Sequence, residues 1–220
     1  MTVDATSPPS QAAAAPRRSS GAWRFVRRNV TLVIGLTILA IMLLVAILAP
    51  FIAGDALTMK PIQRLKPPSE AFWFGTDQLG RDVFARTLWG ARISLLVGLS
   101  VAALSVISGL VIGLLAGTVR WVEAVVMRFM DGLMAIPSIL LAIAMVSLFG
   151  ASVLIVIIAI VIPEVPRVVR LVRAVVMATR EQPYVEAAVA GGAKWWKVLV
   201  RHILPPTIPP LIVQATYICA

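Results

Sequence analysis

The chain has 220 residues, 60% of them hydrophobic and 14% charged, with a mean hydropathy of +0.94. Soluble domains run at about 45–50% apolar and about 25% charged, so lipid must be the solvent for much of this chain. The balance of 20 Lys+Arg against 10 Asp+Glu leaves nucleic acid, an anionic surface or membrane topology as readings, while one cysteine (Cys219) and one histidine (His202) exclude a disulfide framework, a cysteine zinc site and HExxH chemistry.

Residues 2–20 are rich in Ala, Ser and Pro and lack periodicity, and residues 1–28 read as a disordered basic tail. Arg17, Arg18, Arg24, Arg27 and Arg28 are opposed there only by Asp4, which places the N-terminus in the cytoplasm by the positive-inside rule. Residues 31–54 then run 24 positions without a charge, the first transmembrane helix within 29–54. A span needs about 20 such residues. A signal peptide is the rival reading, but its apolar core is shorter and ends in small residues, whereas this run ends at Pro50-Phe51-Ile52.

The stretch 55–92 reads as an extracytoplasmic loop. Its segment 75–82 is dense in turn formers and alternating charge, and Asp82 is placed to begin a helix. Residues 93–119 form the second charge-free run, 27 long. Within it Ser105, Gly109, Gly113 and Gly117 recur every fourth position. Such a stripe lets helices approach closely in lipid, either within the chain or at a subunit interface.

The third run, 132–163, has 32 residues, too many for one helix and few for two. A turn at Gly150 resolves it into spans at about 129–149 and 151–172. Asp131 and Glu164 then sit at helix ends, paired with Arg128 and Arg167, and Pro163 and Pro166 are expected to kink or break the helix. This hairpin puts residues 164–204, with seven cations, in the cytoplasm together with Arg120 and Arg128.

Residues 180–205 form a helix–Gly–helix elbow. Pro183 suits a first turn, and Gly191-Gly192 suits an end. On a wheel of 100° per residue, Lys194, Lys197 and Arg201 share one face, with Trp196, Leu199, Val200 and Ile203 opposite, so this second helix is expected to lie on the membrane interface. The last apolar stretch, 206–220, has 15 residues, too few to cross. The chain therefore reads as ending inside a span.

The elbow carries a resemblance. Glu186-Ala187-Ala188, Gly192 and Ile203-Leu204-Pro205 resemble the EAA motif of bacterial ABC-transporter permeases. Phe74-Gly75-Thr76-Asp77-Gln78-Leu79-Gly80-Arg81-Asp82, Gly90-Ala91-Arg92, Met127-Arg128-Phe129-Met130-Asp131 and Arg170-Leu171-Val172-Arg173 are similar to the dipeptide/oligopeptide branch, above all its C-type permease. Val165 stands where that family usually carries an aromatic residue.

The resemblance implies an all-α polytopic bundle of the type I ABC importer kind in the bacterial inner membrane, with its core over 93–220 and its last span cut short. It implies an elbow (Tyr184, Glu186, Ala187, Ala188, Gly191, Gly192, Pro205) that docks on two cytoplasmic ABC ATPases. It further implies a second permease subunit and an extracytoplasmic peptide-binding protein as partners. ATP and Mg belong to the ATPases, and this chain has no GxxxxGK[ST] loop. No cofactor or metal is expected on it, and no nucleic acid. Other readings are a permease for nickel or glutathione, or a non-transporting fragment. A passive channel or an intramembrane enzyme finds no supporting residue pattern.

Overall fold

The computed structural model describes residues 29–220, and the tail expected over 1–28 lies outside them. The chain divides into two units, 1–44 and 45–220. The described part of the first unit is the beginning of one helix, α1 (Val30–Ile52). This helix is uncharged and, over Val33–Ile52, long and apolar enough to cross a bilayer.

The second unit is helical apart from its opening loop, 55–82, which folds around Thr76 and Asp77. The Thr76 hydroxyl donates to the Gln63 carbonyl and accepts from the Lys66 N–H at 2.8 Å. Asp77 Oδ1 accepts from the N–H groups of Leu79 (2.8 Å) and Arg81 (2.9 Å), and its Oδ2 pairs with the guanidinium groups of Arg81 and Arg86. The Arg81 N–H, joined by Leu79 and the Arg81 side chain, holds this carboxyl at about 2, below the ordinary 3.8. Asp82 then caps the next helix, its Oδ1 accepting from the Phe84 N–H at 2.9 Å. The segment 75–82 is thus an ordered loop held by hydrogen bonds of its own and to Gln63 and Lys66.

The long helix α2 (Val83–Thr118) has 36 residues and is the second helix able to cross a membrane. Val119 separates it from α3 (Arg120–Met134), and a break at 135–137 leads to α4 (Ser138–Phe149). The continuous span expected over 129–149 is replaced by these two helices, bent by 80°. Pro137 explains the break: it cannot donate a helical hydrogen bond and disfavours helix at the residue before it. Gly150, at φ +87°, closes α4.

Helix α5 (Val153–Arg180) begins at Ser152, whose hydroxyl accepts from the Ile155 N–H at 3.2 Å. It runs unbroken through Pro163 and Pro166, both buried. The expected break is absent because tertiary packing on both sides supports the helix through the missing donors.

The core is the contact of α2 with α5. A Cβ on Gly109 would lie 2.5 Å from the Cβ of Val168, and one on Gly113 2.6 Å from that of Val172. One on Gly117 would lie 2.7 Å from Val176 Cγ1. These pairs share one offset of 59 residues, so α2 and α5 lie side by side and parallel. The small-residue stripe, Ser105 included, is buried and packs within the chain. A parallel neighbour requires an intervening segment that returns, which α3 and α4 supply.

After the elbow, α6 (Pro183–Ala190), a short turn α7 (Trp195–Val198), a π-helical turn (Leu199–Ile203) and α8 (Leu204–Cys219) follow. Val198, Ile203 and Leu211 join Val168, Val172, Val176 and Val185 in one buried cluster. Gly98 meets Cys219 at the far end of α8, so α8 runs antiparallel to α2.

Two measurements check this architecture. Gly113→Val should destabilise the protein in detergent by about 1–3 kcal/mol, whereas Gly90→Ala, which meets nothing within 4 Å, should not. Thermal unfolding separates them. Asp77 has a lowered pKa in the fold, so its stabilising contribution is present above 3.8 and fades as pH falls toward about 2. The thermal stabilities of the wild type and Asp77→Asn should therefore differ at neutral pH and converge on acidification.

Candidate functional site

The elbow begins where α5 ends. Arg180 Nη1 donates to the Gly117 carbonyl at 2.9 Å, one of the last acceptors of α2. Its guanidinium carbon lies 5.6 Å from the centre of the Trp195 ring. One side chain thus ties α2, the end of α5 and the start of α7 together. In the sequence Arg180 looks like one more cation after an apolar helix.

Beyond it, Gln182 and Pro183 start α6, and Val185 is the one residue of α6 buried in the core cluster. Gly192, at φ +77°, turns the chain, a conformation that costs a side-chain-bearing residue dearly. Its N–H donates to the Val189 carbonyl at 3.0 Å, and the Ala193 N–H to that of Ala188 at 3.1 Å. Tyr184, Glu186, Ala187, Gly191 and Gly192 are exposed, and Ala188 is half-buried. The Tyr184 ring stands 6.2 Å from that of His202.

Glu186 lies in the first turn of α6. Among the described residues it makes no ion pair or side-chain hydrogen bond. It lines a polar pocket with Gly117, Thr118, Arg120, Glu123 and Arg180.

The second half of the elbow departs from the 100° wheel. Val198 and Ile203, five apart, are both buried, while Trp196 is 72% exposed and Val200 43%. A π turn brings positions i and i+5 to one face, so the inward side is set by that turn. The turn precedes Pro205 and Pro206, which have no N–H to give to an α-helical ladder. Pro205 is exposed in the first turn of α8 and does not end a helix.

A second group of polar residues lies along α5. Glu164 pairs with Arg167, as its spacing predicts. Asp131 does not pair with Arg128 but with Arg170, at 2.5 Å. Glu123 pairs with Arg173, whose Nε lies 2.9 Å from Oε1. Three acids and three arginines thus form a ladder in which α3 supplies two acids and α5 the rest.

The α2–α5 register gives the depth of this ladder. At an offset of 59, Glu164 stands level with Ser105, Arg167 with Ser108, Arg170 with Val111 and Arg173 with Leu114. The charge-free run of α2 is centred on residue 106. At about 1.5 Å per residue, Glu164 and Arg167 stand within about 3 Å of the level of that centre, on a run long enough to cross a hydrocarbon layer about 30 Å thick. The charges of α5 thus stand level with the middle of the apolar run of α2, on a helix that continues to Arg180. Only the period of three shared by Arg167, Arg170 and Arg173 hinted at this face in the sequence.

The comparisons with known proteins fit this frame. Residues 109–218 match the model for the binding-protein-dependent transport system inner membrane component. The chain belongs to that family of inner-membrane permeases. Residues 19–68 match the N-terminal transmembrane domain of oligopeptide transport permease C, which marks the C-type branch. A probable peptide ABC transporter permease of Sinorhizobium fredii is 52% identical over 96% of this chain and 73% of its own length. A dipeptide transport system permease of Alkalihalophilus pseudofirmus is 41% identical over 98% of this chain and 72% of its own. A glutathione transport system permease of Pectobacterium atrosepticum is 38% identical over 86% and 64%. The helical bundle and the C-type permease assignment stand as the sequence implied.

Replacing Arg180 with Gln should leave the Gly117 and Thr118 carbonyls of α2 without their charged donor, a loss of about 0.5–1.5 kcal/mol. Limited proteolysis should then cut faster within 181–194 than in the wild-type permease.

Proposed function

We propose that this permease is one of two membrane subunits of a bacterial ABC importer for di- or oligopeptides. Two cytoplasmic ABC ATPases dock on the elbow over 180–205, and a binding protein delivers solute on the opposite face. In this reading the N-terminus and the elbow are cytoplasmic. ATP and Mg act on the ATPases, and their closure moves the elbow and switches the bundle between inward- and outward-facing states.

The observation that carries the reading is the contrast within the elbow. Its base is fixed by Arg180, Val185, Val198 and Ile203, while Glu186, Ala187 and Gly192 are presented outward. A surface that transmits force needs both properties: an outward face of small residues for close approach, and a base that cannot move without moving α2 and α5. The peptide and dipeptide permeases among the relatives support the substrate class. The glutathione permease supports a narrower variant of it, since glutathione is itself a small peptide.

Affinity purification in mild detergent should recover a second permease and two ATPases. Within that complex, Gly192→Trp finds open space for its side chain but strains a backbone held at φ +77°, so insertion is checked alongside, and the inserted complex should uncouple ATP hydrolysis from transport. Coupled transport at the wild-type rate in that variant refutes the elbow's role.

A further inference from the structure

The ladder on α5 poses a problem that the elbow does not. Glu164 and Arg167 stand level with the middle of the apolar run of α2, the Arg167 side chain 53% exposed and its partner Glu164 16%. Arg170 and Asp131, less than one turn further along, are 44% and 58% exposed. Charges at this depth face protein or a water-filled cavity rather than lipid. The opposite face of α5 is filled by Val168, Val172 and Val176 against the α2 glycines. The charged face is therefore free of that contact and turns toward α3 and the α3–α4 break.

The break adds polarity at the same place. Arg167 lines a small polar cavity with Met134, Ile136, Pro137, Ser138 and Pro163. Pro163 and Pro166 leave the carbonyls of Ala159 and Ile162 without their usual helical donors. Irregular backbone at membrane depth is tolerated where it is buried in protein or lines water. Two independent features, an ion-pair ladder whose Arg167, Arg170 and Asp131 side chains are about half exposed and the break between α3 and α4, thus meet at one depth.

We propose that Glu164, Arg167 and Ser138 line a water-filled path through the membrane core of this permease. The paired charges give the path a lining of both signs. Such a lining suits a hydrated solute that carries both an ammonium and a carboxylate and gives no net attraction to trap it. The solute class rests on the importer reading above. The water does not, and it is tested without any solute.

The test is thiol accessibility in the assembled complex in inner-membrane vesicles. Cys219→Ser removes the chain's only cysteine. Arg167→Cys, Glu164→Cys and the nearly isosteric Ser138→Cys are then made singly, with Leu104→Cys as a control at the same depth on an exposed apolar face of α2. A membrane-impermeant methanethiosulfonate reacts with thiolate, which forms only in water. Labelling at 138, 164 and 167 should be at least tenfold faster than at 104. Labelling of all sites after denaturation confirms that each thiol is present. Should the charge-removing variants not accumulate, Ser138→Cys decides alone. Rates at these positions as slow as at 104 overturn the proposal, since a dry subunit interface or a lipid-facing ladder gives that result. Fast labelling with wild-type peptide transport in Arg167→Cys and Glu164→Cys would count against the solute class only.

Discussion

The contact between the glycines of α2 and the valines of α5 is the constraint on which the rest of the permease depends. In lipid there is no hydrophobic drive between helices, so close backbone approach and dispersion must hold them. Gly109, Gly113 and Gly117 supply the groove, and Val168, Val172 and Val176 supply the ridge. Their common offset leaves no room for a register shift. That single register sets the depth of every charge on α5, the level at which Arg180 reaches the end of α2, and the side on which α3 must return.

Two polar systems hang on this frame, and they differ in what fixes them. The elbow is fixed by packing at its base and by Arg180, and it offers a smooth outer surface of small residues. The ladder is fixed by one ion pair within α5 and two between α3 and α5, a kind of pair that is costly to place in lipid. Between them α5 serves as the common element, with apolar contact on one face and charge on the other.

Much of this was legible in the residues. The charge-free lengths located α1 and α2, the glycine spacing located the packing face, and Gly150 and Gly192 located two turns. The motif-level resemblance named the family. What escaped had physical reasons. Hydropathy reads charges as interruptions and so starts a new segment at the α5 charges, whereas the helix runs on to Arg180 with one face buried. A fixed 100° period cannot register the π turn that buries Val198 with Ile203. Local spacing offered Arg128 to Asp131, but the chosen partner, Arg170, is 39 residues away. Pro163 and Pro166 act on a helix that its neighbours already hold.

The offset of 59 residues also bears on how the protein is made. During synthesis at about 5–20 residues per second, α2 enters the membrane roughly 3–12 s before its α5 partner exists. For that interval the glycine groove has only lipid against it. Membrane insertion of α2 therefore has to succeed on its own hydropathy, and the groove waits, already shaped, as the landing site for a helix still being translated. A bulkier stripe would insert equally well and fail only later, at the moment of helix pairing, so biogenesis of this permease separates into an early step governed by apolar length and a late one governed by the absence of side chains.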